Sequence, residues 1–172
     1  MLMFGLTSLT ELMVKMMSSV FAELGLTFSS AESITGGRIQ AEFTSKSGSS
    51  AYFMGGVCAY SLDAKVEILG CDRLVAKACN CVSQEIANQM AEGAQKIFKT
   101  DVAIATTGYV EPFEYEGETK TPVVFIAVKV FGETYGEYFA PQGTDRDDKL
   151  RFVTERTLAF ALEKVGSHNQ QS

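Results

Sequence analysis

Histidine is nearly missing from this chain: its single copy, His168, lies near the C-terminal end. A Ser-His-Asp triad and a histidine-rich metal site therefore both lack their central group, and any nucleophile must be activated by lysine, tyrosine or a carboxylate. Basic charge is also short, with 15 Lys and Arg against 21 Asp and Glu for a net charge of −6. That balance gives no footprint for a phosphate backbone and argues against nucleic-acid partners. Long uninterrupted apolar runs are absent too. The apolar N-terminal stretch MLMFGLTSLTELMVKMMSSVF is broken by Glu11 and Lys15 and has no basic leader, so it reads as neither signal peptide nor membrane span. The four cysteines (Cys58, Cys71, Cys79, Cys81) contain no paired C-x-x-C. They read as reduced thiols of a cytoplasmic protein, with no metal and no cofactor expected.

What is present suits a self-contained globular domain. Its 172 residues, 46% hydrophobic and 21% charged, are enough for one core. Ser8 and Glu11 form a capping box for a helix over about 8–24, which Gly25 ends. Its apolar stripe is Leu9, Leu12, Met13, Met16, Met17, Val20 and Phe21. Leu26 to Glu32 predicts a strand, and Thr35 caps a helix from near Gly36 that carries Ile39, Ala41 and Phe43. MGGVCAYS predicts a buried strand and LDAKVEILG a short helical segment ending at Gly70. Ser83 caps a helix through about Phe98, with Ile86, Met90, Ala94 and Ile97 on one face. DVAIATTG predicts a central strand, residues 108–120 an acidic loop, and TPVVFIAVKVF with TYGEYFA an antiparallel hairpin. A last amphipathic helix uses Leu150, Val153, Leu158, Phe160 and Leu162, and GSHNQQS reads as a frayed tail. The pattern predicts an α/β fold: a three-layer α/β/α sandwich with a mixed sheet, one domain over residues 1–166 and a disordered tail over 167–172.

Two places could carry chemistry. Ser33 falls where a strand should end and a helix begin, the edge at which α/β sheets bind ligands. Thr35, Gly36 and Gly37 follow, and their backbone N–H groups suit a phosphate or an oxyanion. The same residues also read as an ordinary polar turn and cap. Tyr60 and Lys65 form the second place. A lysine acting as base near neutrality must be lowered from about 10.4 by roughly three units, a cost of about 4 kcal/mol. Alone, Tyr60 reads as a packed ring with a hydrogen-bonded hydroxyl and Lys65 as a solvated charge. The spacing is one residue longer than Tyr-x-x-x-Lys, and no G-x-G-x-x-G opens the chain, which excludes a dinucleotide oxidoreductase. Tyr109, Phe113 and Tyr115 either cover a ring-shaped ligand or pin the acidic loop.

Together, AESITGG, SGSSAYFMGGVCAYSLDAKVEILG, VSQEIANQMAEGA and DVAIATTG resemble, in that order, the CinA C-terminal domain family, over about residues 8–165. Active members of that family are nicotinamide-nucleotide amidohydrolases. The resemblance implies an α/β/α sandwich that hydrolyses the carboxamide of nicotinamide mononucleotide to nicotinate mononucleotide and ammonia without a metal. It implies Ser33 as nucleophile, with Tyr60 and Lys65 activating it. It also implies substrate contacts from Thr35, Gly36, Gly37, Ser49, Thr107 and Gly108, and the class of protein suggests a homo-oligomer. Where members carry a glycine-rich TG-x-AGP-x-GG segment, this chain has TGYVEPFEYEGE and keeps only Thr107, Gly108 and Pro112. Glu111, Glu114, Glu116 and Glu118 crowd that stretch, where they would repel a nucleotide phosphate. Arg146 and Arg151 are also one residue further apart than the family's R-x-x-x-R pair. An alternative reading is a paralogue without activity that binds nucleotide or regulates.

Overall fold

The computed structural model describes residues 8–169. Helix α1 (Leu9–Leu24) opens on Ser8, whose hydroxyl accepts from the Glu11 N–H, and closes on Gly25 at φ 64°. Both signals are local, so both lie where the sequence puts them. The stripe rotates relative to expectation: Val14, Met17 and Phe21 are buried, whereas Leu9, Leu12 and Met16 are exposed.

Strand β1 (Phe28–Glu32) lies between β2 (Phe53–Cys58) and β3 (Val102–Tyr109) and runs parallel to both. Strands β6 (Val123–Val130) and β7 (Glu133–Phe139) continue the sheet antiparallel, giving the order β2-β1-β3-β6-β7. The mixed sheet and its hairpin match the expectation. The faces of the sheet differ in side-chain size. Val102, Ile104, Val124, Ile126 and Val128 face α1, α2 (Arg38–Thr44) and α6 (Arg146–Asn169), packing with Phe21, Phe28, Phe43 and Leu158. Ala31, Ala103, Ala105 and Ala127 face α5 (Gln84–Phe98), which meets them with Ala87, Met90, Ala91 and Ala94. Period-2 alternation separates the two sets along each strand. The alanine face lets α5 lie close to the sheet, and Gly93 lets it lie against the backbone at Leu69: a Cβ there would sit 2.1 Å from the Leu69 carbonyl oxygen.

Several expectations are corrected. Helix α2 starts at Arg38 with Gly37 as its cap, later than the Thr35 cap implied, because the Thr35 side chain points inward to other partners. Helix α3 (Leu62–Glu67) is followed by α4 (Arg73–Ala78), which the periodicity did not predict; Asp72 caps it by accepting from the N–H groups of Leu74 and Val75. The acidic loop contains a two-stranded hairpin, β4 (Phe113–Tyr115) and β5 (Glu118–Lys120), turned through Glu116 and Gly117 at positive φ. Ile97 is exposed, whereas Ile86, Met90 and Ala94, on the same expected face of α5, are buried. Helix α6 runs through Asn169, three residues into the stretch read as a tail; residues 170–172 lie outside the described residues. Among the described residues, no helix is long and apolar enough to cross a membrane.

Candidate active site

Consecutive side chains leave a strand on opposite faces, so the end of β1 sends Glu32 and Ser33 in different directions. Glu32 turns toward α2 and is fully buried. Its carboxylate accepts from the N–H groups of Gly37 (3.0 Å), Ile39 (3.1 Å) and Gln40 (2.8 Å), and from the Thr35 hydroxyl (2.7 Å). One side chain thus satisfies the open N-terminal donors of α2 and fixes the turn that carries Ser33. Nothing in the sequence pattern singled out Glu32, although a carboxylate just ahead of a glycine pair and a helix is a capping signal.

Ser33 keeps β1 in register by donating its backbone N–H to Thr106 O at 3.0 Å. Its hydroxyl points the other way, to the amine of Lys65 at 2.9 Å. Lys65 belongs to α3, which Ser61 caps by accepting from Ala64 N. Its side chain turns inward and is only 1% exposed. The amine also donates to the carbonyl oxygens of Ala59 (2.8 Å) and Tyr60 (3.3 Å). Burial pushes the Lys65 pKa below the ordinary lysine value of 10.5, opposed by the nearby Cys81 and Cys71 thiols when ionised. Cys71, buried in turn, is pushed up to about 11 and so stays a neutral thiol near pH 7.

The three contacts of Lys65 fit both protonation states. As an ammonium it donates to all three oxygens. As a neutral amine it donates two N–H to the Ala59 and Tyr60 carbonyls and offers its lone pair to the Ser33 hydroxyl. A proton can move from Ser33 to Lys65 with no partner lost, which is the geometry of a serine activated by a lysine base.

Beside the pair lies a cavity of about 350 Å³, with Ser33, Tyr60, Lys65, Thr107 and Gly108 in its wall. Tyr60 is 70% exposed, and it meets Lys65 through its backbone carbonyl. Thr107 donates its hydroxyl to Cys81 O (2.7 Å), holding a turn in which Asn80 and Cys81 both adopt positive φ. Thr35 lies behind the wall, bonded to Glu32 and Thr106. The Gly36 N–H donates to Ser33 O and the Gly37 N–H to Glu32, so neither is aimed at a ligand. Ser49 sits in a short 3₁₀ turn, Ser49–Ala51, and is not among the residues lining the cavity.

The far wall was not foreseen in detail. Tyr109 and Phe113 stack at 5.2 Å and 16°, Phe113 stacks on Tyr115, and the Tyr109 hydroxyl accepts from Asn80. The rings therefore pin the hairpin, and Tyr109 and Phe113 also line the cavity. Glu111, from the same wall, takes the guanidinium of Arg146 at 2.7 Å. Among the described residues, no three His, Cys, Asp or Glu gather to hold a metal.

A parallel-to-mixed sheet between two helical layers, with a buried serine and lysine in contact where β1 ends, defines an α/β/α sandwich protein bearing a Ser-Lys pair. The model of the CinA C-terminal domain matches residues 10–167, and the chain belongs to that family. A CinA-like protein of Flavobacterium psychrophilum is 37% identical over 90% of this chain, and one of Chlorobium limicola is 38% identical over 97%. The chain spans about a third of the length of these curated relatives, covering 36% and 34% of them. Among crystal structures, the competence/damage inducible protein CihA of Agrobacterium tumefaciens is 30% identical with a TM-score of 0.82, covering 95% of this chain and 99% of that one. A competence or damage-inducible protein of Enterobacter asburiae is 26% identical with a TM-score of 0.84, covering 91% and 98%.

Proposed function

We propose that this chain is a metal-independent serine amidohydrolase acting on the carboxamide of nicotinamide mononucleotide or a related nicotinamide ribosyl amide. The observation that carries this reading is the contact of 2.9 Å between Ser33 Oγ and Lys65 Nζ, both buried beside a cavity of ligand size. In the first half-reaction Ser33 Oγ bonds to the amide carbon while its proton passes to Lys65 Nζ. The resulting ammonium, beside the tetrahedral centre, favours the developing negative charge. Collapse breaks the C–N bond, Lys65 returns the proton to the leaving nitrogen, and ammonia departs from an ester on Ser33. Water then attacks the ester with Lys65 again as base, releasing the carboxylate and restoring the hydroxyl. Tyr60 positions the base through its carbonyl and offers its exposed ring to the substrate.

The test is release of ammonia and nicotinate mononucleotide from nicotinamide mononucleotide by the wild type and by Ser33→Ala. Turnover in the first that falls at least about 10⁴-fold in the second supports the reading. No amide turnover by a folded wild type would favour a second reading, a nucleotide-binding or regulatory protein without hydrolysis. That reading draws on Glu111, which occupies Arg146 at the cavity wall.

A further inference from the structure

We propose that Glu111 sets the substrate class of the cavity by holding Arg146, so that ribosyl amides without a phosphate are accepted at least as readily as phosphorylated ones. The inference rests on the amidohydrolase reading above. Three charged residues line the cavity: Lys65, Glu111 and Arg146. Lys65 is buried and directs its amine to Ser33, Ala59 and Tyr60, leaving no donor for an anion. Arg146 is then the cation in this wall that a phosphate could use, and its Nη1 lies 2.7 Å from Glu111 Oε2.

Both partners are about half exposed, so the pair is weakened by solvent and can be opened. Opening it does not remove the carboxylate, because Glu111 belongs to the cavity wall between Tyr109 and Phe113. A phosphate that reached Arg146 would bring between about one and two negative charges beside Glu111, and the repulsion offsets the gain from the guanidinium. Glu114, Glu116 and Glu118 on the adjoining hairpin add negative charge, and Lys120 is already paired with Glu118. The same wall suits a different ligand. The Tyr109 and Phe113 rings present aromatic surface, and the pyridinium of a nicotinamide riboside is a flat cation that both the rings and Glu111 attract.

The experiment measures binding of nicotinamide riboside and of nicotinamide mononucleotide to Ser33→Ala by calorimetry, alone, with Glu111→Gln, and with Glu111→Gln plus Arg146→Gln. Wild-type kcat/KM for both compounds is measured alongside. The expected result is riboside affinity at least equal to that of the nucleotide. Glu111→Gln should then move the ratio about tenfold toward the nucleotide, equivalent to about 1.4 kcal/mol, and adding Arg146→Gln should remove that shift. A nucleotide preference of tenfold or more before Glu111 is changed overturns the proposal, as does a Glu111→Gln effect equal for both ligands. If turnover persists in either case, the amidohydrolase reading stands without it. If neither compound binds or turns over, the amidohydrolase reading fails, and the proposal with it.

Discussion

Burial of the Lys65 amine costs the folded state free energy, and the direction of its pKa shift fixes two pH dependences. The folded pKa lies below the ordinary 10.5, so folding disfavours the bound proton. The cost is largest below the folded pKa, shrinks as pH rises through it, and vanishes near 10.5. Lys65→Met should therefore abolish hydrolysis, and its stability relative to wild type should fall as pH rises from 7 toward 10, because only the wild type sheds the cost of the buried proton over that range. Denaturant titrations of both proteins across that range check this; a stability difference that does not change with pH contradicts it. In the wild type, kcat/KM should rise with pH through one ionisation below 10.5 as Lys65 becomes the neutral base. Of the residues involved, Ser33 and Lys65 were legible from motif and position. That Tyr60 meets the amine through its carbonyl was not, because a one-letter string does not say which part of a residue faces its neighbour. The pairing of Glu111 with Arg146 spans 35 residues and follows from no local rule.

Among the elements, the turn from β1 into α2 and helix α3 carry the site, and each is held by a contact that substitution can test. Glu32 satisfies three backbone N–H groups at the start of α2 with no exposure to water. Glu32→Ala would strand those donors at about 1–3 kcal/mol for each one that finds no water. A loss of about 3 kcal/mol corresponds to a melting temperature lower by about 6–12 °C, with kcat falling as the Ser33 turn loosens. An unchanged melting temperature contradicts the anchoring role. Gly93 on α5 does the same for the turn after α3, since its missing Cβ leaves room for Leu69 O at 2.1 Å from where that atom would be. Gly93→Ala must push α5 away from the Leu69 turn that follows α3, so both stability and Ser33-dependent activity should drop; a variant equal to wild type in both removes that account. Helices α1 and α5, each opened by a serine cap, lie within a residue of their predicted bounds, whereas α3 stops at Glu67, short of the Gly70 end. The hairpin of β4 and β5 was hidden because each strand is only three residues long, too short for alternation to mark it. Helix α4 was missed because its six residues present too little periodicity to read.

At the scale of the molecule, one five-stranded sheet separates an aromatic and β-branched core from an alanine-lined one. Each strand of the centre contributes to both cores, so neither can melt while the other keeps its floor. Unfolding should be a single cooperative transition, with far-UV circular dichroism and tyrosine fluorescence coinciding, whereas two separated transitions would show that the layers fold independently. The order of strands and helices was readable because parallel strands alternating with helices admit few topologies. The asymmetry of the faces was not, because alanine and valine both read as apolar. That asymmetry brings α5 close to the sheet, and Gly93 seats it against the Leu69 turn that follows α3, the helix of Lys65. The most direct test of the whole account is to quench turnover of nicotinamide mononucleotide in acid and examine the Ser33 peptide by mass spectrometry. The account predicts the substrate's acyl group on Ser33, absent from Lys65→Met; turnover with no adduct, persisting in Ser33→Ala, would contradict it.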